Sequence, residues 1–324
     1  MSIRLFFLFT LFFFLLFVPI SAGWHTVNGH HSGEQHIMKA FVIDRYGRRG
    51  GGRIGEMPEP ELRGDDVLIQ VHAAGVNLLD AKIGKGEFRL VLPYRLPLVL
   101  GNDVAGVVVR VGPSVKRFKP GDEVYARPDQ QRIGTFAEFI AVKEDSLALK
   151  PGNLSMEEAA SLPLVSLTAW QVLVETAKLK KGQKVLIHAG SGGVGTIAIQ
   201  LAKHLGAFVA TTTSTSNVEW VNALGADVVI DYRKQDFETV LHGYDVVLNS
   251  LGNDVLEKSL RVLKPGGQLI SISGPPTPEF AVEQGAFMGA EAGNAPLEPP
   301  YQEAGEAEGS ELRVCLYASQ RQAA

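Results

Sequence analysis

Cysteine is nearly absent from this 324-residue chain: Cys315 is the only one. A single thiol rules out an intramolecular disulfide framework and leaves no thiolate cluster for a structural zinc. An excess of one charge is lacking too, with a formal net charge of −4. Residues 281–324 hold seven Glu against two Arg, so the rest of the chain is close to neutral and nothing favours nucleic acid as a partner. The longest apolar stretch, residues 5–20, would reach only about 24 Å as a helix against roughly 30 Å of hydrocarbon, so no stable membrane span is expected. What remains is an ordinary globular composition, 45% hydrophobic and 20% charged with 35 Gly and 17 Pro, and a length that suggests two domains.

The two ends stand apart from the middle. Arg4, a Phe-rich run and the small residues Ser21, Ala22 and Gly23 follow the order of a secretory signal peptide. Residues 24–37 have no periodicity, however, and a strand-like MKAFVI opens at Met38. Translation from Met38, a signal peptide and a membrane anchor are three open readings of residues 1–37. The first makes the protein cytoplasmic; the others make it secreted or membrane-associated through residues 1–23. His25, His30, His31 and His36 fall in this unpatterned stretch, and no function rests on them. At the other end, residues 285–309 are rich in Gly, Ala and Glu, contain Pro299-Pro300 and keep neither helical nor strand period, a composition that reads as disordered.

The second half carries a nucleotide-binding pattern. KVLIHA, residues 184–189, is a short apolar run suited to a buried parallel strand, and GSGGVG follows at once. TIAIQLAKHLG then repeats apolar residues at helical spacing before a stop at Gly206. AFVATT, DVVID, YDVVLN and GQLISIS give four more apolar runs, separated by the helical segments NVEWVNALGA, FETVLHG and DVLEKSLRVL. This order predicts a doubly wound parallel sheet. Gly190, Gly192 and Gly195 satisfy GxGxxG in the strand-turn-helix context that gives the motif meaning. Gly192 and Gly193 let backbone amides approach a pyrophosphate, and the free amides at the helix start stabilise its charge.

Cofactor choice is read after the second strand, where an NAD-selective site places Asp or Glu against the ribose hydroxyls. Here the loop runs from Thr211 to Ser216 as an unbroken Thr/Ser series. With no carboxylate in that loop to repel a 2′-phosphate, and with hydroxyls such as Thr213 and Ser214 able to donate to it, NADPH is favoured. The nearest cations in sequence are Arg233 and Lys234.

Upstream, short β-branched strands broken by Gly and Pro turns have the pattern of a small antiparallel barrel. With AAGVNLLD, LGNDVAGVVVRVG, GDEVYA, LPLVSLTAW, the GSGGVG turn and LGADVVIDY in this order, the chain resembles the zinc-independent, quinone oxidoreductase branch of the medium-chain dehydrogenase/reductase superfamily, from Met38 to about Pro278. The resemblance implies a GroES-like β-barrel catalytic domain (38–160) packed on a Rossmann domain (161–280), with the active site in the cleft between them. Zinc-dependent members bind catalytic zinc through a Cys in the first motif and a His in the second; here these places hold Asn77 and Asn102, and an amide oxygen is a poor zinc ligand. Metal is therefore absent from the expected mechanism.

By the resemblance, Thr168 holds the nicotinamide end and Ser191 to Val194 hold the pyrophosphate. Tyr232 faces the adenosine, and Asn249, Leu251, Ser271 and Ser273 belong to the inner cofactor wall. Asn77, Asp80 and Lys82 face the acceptor, with Asp80 better suited to fixing its loop than to moving a proton. The implied activity is NADPH-dependent hydride transfer to a quinone or an α,β-unsaturated carbonyl; the alternative is a low-turnover NADP-binding protein with a structural role. The family also expects a last Rossmann strand, a helix and a return to the catalytic domain, none of which is legible after about Val282. Written in permitted codons and read one nucleotide later, residues 286–324 yield an Arg-rich amphipathic helix followed by the strand-like SYEFVFM. A frameshift near Gly285 is therefore expected, with residues 281–324 a disordered, out-of-frame tail, an unpaired sheet edge, and a homodimer only were that region intact.

Overall fold

The computed structural model of the chain describes residues 36–47, 51–89, 92–273 and 311–314. The readings placed on residues 1–35, including three of the four histidines, lie outside it.

The described chain opens with β1 (Ile37–Ile43), which pairs antiparallel with β2 (Gly52–Pro58). Next come β3 (Asp66–Ala73), α1 (Leu78–Lys85), β4 (Leu98–Val99), β5 (Val104–Val111), β6 (Glu123–Ala126), β7 (Phe139–Lys143) and β8 (Leu147–Leu149). They form two antiparallel sheets, β2-β1-β4 and β7-β3-β5-β6-β8, the expected GroES-like barrel. β-Branched side chains fill it: Val67, Ile69, Val104, Val108, Val124 and Ile140 share one buried cluster. A second cluster lies under α1, where Leu79 and Ile83 meet Phe88 and Leu100. Leu164, from the helix that leaves the barrel, packs into the same cluster and so ties the two halves together.

Two helices make that link. α2 (Met156–Ala160) begins with a capping box in which Ser155 and Glu158 satisfy each other's backbone amides. α3 (Pro163–Trp170) has its proline in the first turn, where no amide hydrogen is needed, and continues as a π-helical turn over Gln171–Thr176.

Then follow β9 (Lys184–Ile187), α4 (Gly193–His204), β10 (Phe208–Thr213), α5 (Val218–Ala223), β11 (Val228–Asp231), β12 (Tyr244–Asn249), α6 (Asn253–Val262), β13 (Leu263–Ser271) and β14 (Glu311–Val314). Every pairing among these strands is parallel, in the order β11-β10-β9-β12-β13-β14. Both faces are covered, which is why the strands read as continuous apolar runs: Ile187, Val209 and Leu248 pack with Ile199 of α4, while Leu186, Ala210 and Val247 pack with Leu256 of α6. The strand order reverses between β9 and β12. Doubly wound sheets bind ligands in the crevice at such a point, at the carboxyl ends of the strands.

Two expectations need correction. FETVLHG is not a helix but one 3-10 turn, Phe237–Thr239, because Gly243, at φ 71°, breaks the segment just before Tyr244 enters β12. The tail is not without structure throughout: Glu311–Val314 lies parallel to β13, from Gln268↔Glu311 to Ser271↔Val314, so this edge of β13 is paired rather than bare. The rest of the tail, and with it the proposed frameshift, falls outside the described residues.

Candidate active site

The turn between β9 and α4 separates its glycines by role. A Cβ on Gly190 would collide with the Thr211 hydroxyl, and one on Gly195 with the Ala189 carbonyl and the Gly190 Cα, so strand-helix packing alone requires both. Gly192 differs: its φ is −82° and a Cβ there would meet only the Ala189 oxygen, at 3.2 Å. The fold tolerates a side chain at Gly192, and the space it leaves fits a ligand. The Gly192 amide is taken by the Ala189 carbonyl at 2.8 Å, but α4 begins at Gly193 with no side-chain cap among the described residues, so the Gly193 and Val194 amides of its first turn are free to bind an anion. A nucleotide pyrophosphate fits this cradle on both counts.

Behind the turn, the inner wall is tied together from within. Asn249, fully buried, donates to the Leu251 carbonyl and to the Ser271 hydroxyl, both at 3.2 Å, and accepts from the Leu251 amide at 3.1 Å. Ser271 donates to the Ser273 carbonyl at 2.7 Å, and the Ser273 hydroxyl donates to Leu251. Asn249, Ser271 and Ser273 thus shape the wall, and their polar side-chain atoms are largely committed to it. Thr168, buried on α3, gives its hydroxyl proton to the Leu164 carbonyl at 2.7 Å, which leaves its oxygen able only to accept.

Around β10 and β11, Thr213 is buried and its hydroxyl oxygen makes no hydrogen bond among the described residues. Ser214 accepts from the Asn217 amide at 3.2 Å, and the Thr215 hydroxyl donates to Asp231 at 2.7 Å. Tyr232 is 57% exposed at the end of β11, an open ring suited to stacking. The expectation of a loop without a carboxylate is corrected here, since Asp231 reaches it from the neighbouring strand.

On the barrel side, four residues form one network. Asp80 accepts from the Asn77 backbone amide and from the Asn102 side chain, both at 2.7 Å, and so fixes the loop at the start of α1. Asp103 accepts from the Asn77 side chain at 2.9 Å and from the Leu164 amide at 2.8 Å. Both carboxylates are buried, and burial raises the pKa of each, that of Asp103 to about 7. Both asparagine amides are therefore turned with nitrogen toward a carboxylate, an arrangement that does not fit a zinc ion. Lys82 sits on α1 two residues beyond Asp80 and makes no ion pair among the described residues. A small cavity lined by Leu79, Ile83, Phe88, Tyr94, Arg127 and Asn102 adjoins this network. Sequence reasoning missed Asp103, whose partners lie 26 and 61 positions away; only the DVAG strand start beside Asn102 marked it.

Comparison with known proteins agrees with this arrangement. An alcohol dehydrogenase GroES-like domain matches residues 63–152, and a zinc-binding dehydrogenase family matches residues 193–291. The chain is 43% identical over 250 residues to the NADPH-dependent alkenal/one oxidoreductase of Arabidopsis thaliana chloroplasts, which covers 74% of the chain and 64% of that protein's length. It is 35% identical over 254 residues to a chloroplastic quinone-oxidoreductase homolog of Spinacia oleracea, covering 74% of the chain and 76% of the relative. Among solved structures, the quinone oxidoreductase of Coxiella burnetii superposes with a TM-score of 0.72 at 32% identity, over 88% of this chain and 84% of that one.

Proposed function

Because the chain belongs to the zinc-independent branch of the medium-chain dehydrogenase/reductase family, we propose that it transfers a hydride from NADPH to a quinone or an α,β-unsaturated carbonyl. The observation that carries this reading is the turn after β9, where Gly192 leaves room that strand-helix packing does not need and α4 offers uncapped amides. When bound, the nicotinamide supplies the hydride, and conjugation in the acceptor makes its carbon electrophilic without a metal.

The protein's part is positioning. The first-turn amides of α4 hold the pyrophosphate against the wall braced by Asn249, Leu251, Ser271 and Ser273. The Thr168 oxygen, able only to accept, takes a carboxamide N–H and so orients the nicotinamide. Tyr232 would stack on the adenine, and the loop at residues 214–216, with exposed Arg233 beside it, would receive the 2′-phosphate. On the acceptor side, Asp103 at 2.9 Å and the Gly75 carbonyl at 3.5 Å take the two N–H groups of Asn77, so Asn77 presents its oxygen and does not polarise a carbonyl. Lys82 is the residue we assign to donate a hydrogen bond to the acceptor oxygen as charge develops there. Translated from Met38, the enzyme would work in the cytoplasm on small diffusible acceptors.

The test is acceptor-dependent oxidation of NADPH by the purified chain across a panel of quinones and enals. Turnover with members of the panel supports the reading. Tight NADPH binding with no turnover on any acceptor contradicts it and leaves a nucleotide-binding role.

A further inference from the structure

The loop that follows β10 contains no acidic residue, yet it faces a carboxylate. Asp231 ends β11 directly beside Thr213 in the parallel register, Thr213↔Asp231. Its side chain turns toward the loop: one oxygen accepts the Thr215 hydroxyl at 2.7 Å, and the other accepts the Arg233 amide at 3.0 Å. Lys234 places its ammonium 3.6 Å away. The Thr215 hydrogen bond, helped by the Arg233 amide and Lys234, outweighs the desolvation of Asp231 and lowers its pKa, so the group is an anion throughout the working pH range.

Two consequences follow for a ligand in this loop. The single proton of the Thr215 hydroxyl is already given to Asp231, so that hydroxyl does not donate to a phosphate. The fixed negative charge also repels a second negative charge bound alongside it, while a ribose hydroxyl feels no such repulsion. We propose that Asp231 is a cofactor-selectivity residue: it carries a negative charge from β11 to the loop after β10 and so holds down this chain's preference for NADPH over NADH. The inference rests on the reading of this crevice as the nicotinamide-nucleotide site, and it concerns a residue outside the loop that ordinarily decides between the two cofactors. Removing the charge also frees Lys234 to face the phosphate, so both effects act in the same direction. For charges separated by several ångströms near solvent, the combined effect is about three- to tenfold in affinity.

Dissociation constants of NADPH and NADH, measured by calorimetry on the full chain and on Asp231→Asn, test this without any need for turnover. The amide keeps an acceptor for Thr215 while losing the charge. The NADH/NADPH ratio of dissociation constants is expected to rise about three- to tenfold, almost wholly through tighter NADPH binding. Asp231→Ser repeats the test if the amide disturbs the turn. Thr215→Val, which keeps the carboxylate, is expected not to raise the ratio. An unchanged ratio in the Asp231 variants, or an equal rise in Thr215→Val, overturns the proposal. A wild-type chain that binds neither nucleotide overturns the underlying reading, and the proposal with it.

Discussion

The ring of His188 lies with Nε2 2.9 Å from the Ser259 hydroxyl and Nδ1 3.1 Å from the Thr212 hydroxyl, and the direction of both bonds is determined. Ser259 gives its own proton to the Val255 carbonyl at 2.6 Å, so it must accept from Nε2–H. Nδ1 is then the acceptor, and Thr212 donates to it while accepting the Ala189 amide at 3.2 Å. A neutral imidazole therefore joins the glycine turn, the end of β10 and α6, with no place for a second ring proton.

Burial holds the His188 pKa down at about 4, against 6.5 for an exposed ring. Between those values the unfolded chain binds a proton that the folded chain refuses, so His188 contributes a loss of stability as pH falls through about 6.5, levelling near 4 at ~3 kcal/mol. Asp103 runs the opposite way. Its pKa is raised to about 7 from 3.8, so the folded state binds the extra proton and gains stability as pH falls through the same window. The two contributions oppose each other in the wild type. His188→Gln is expected to become relatively more stable toward pH ~5, read as urea midpoints compared with wild type. A variant whose midpoints track the wild type across this range would contradict the neutral, buried ring.

Asp103→Asn should separate binding from catalysis. The new amide turns an N–H toward the Asn77 nitrogen or the Leu164 amide, both donors, so Asn77 must rotate or lose its bond. Acceptor kcat/KM is expected to fall about tenfold or more, from a loss on the order of 1 to 3 kcal/mol, with the NADPH dissociation constant unchanged. A parallel loss of NADPH affinity would mean that the residue acts on the whole crevice.

The glycines of the turn offer a paired test. Gly195→Ala forces a Cβ into the Ala189 carbonyl and should destabilise the fold by about 1 to 3 kcal/mol. Gly192→Ala has an allowed φ and a single 3.2 Å contact, so its melting temperature should stay near wild type while NADPH affinity drops. Equal destabilisation by the two would remove the argument that Gly192 makes room for a ligand.

Legibility in the sequence followed the range of the interaction. KVLIHA-GSGGVG and the helix after it were readable because strand, turn and cap are contiguous and each residue meets a local demand. FETVLHG had helical spacing but too short a path to Tyr244, a limit set by where β12 must begin. ELRV is a short strand whose only signal is its parallel partner in β13. The carboxylates were least legible. Asp231 reaches Thr215 through the register of β11 on β10, and Asp103 reaches Asn77 by folding across the barrel, so their roles emerge only once strands are paired. The Thr/Ser loop read alone pointed to an uncontested 2′-phosphate site, and Asp231 revises that.

The central claim is metal-free hydride transfer from the nicotinamide to a conjugated acceptor. Its most direct test is the fate of the hydride when the purified chain turns over an enal with NADPH deuterated at the transferring C4 position, in the presence of a strong chelator. The account predicts one deuterium on the β-carbon of the saturated product and an unchanged rate on chelation. Product without label at that carbon, or activity lost with the chelator and restored by zinc, would contradict it.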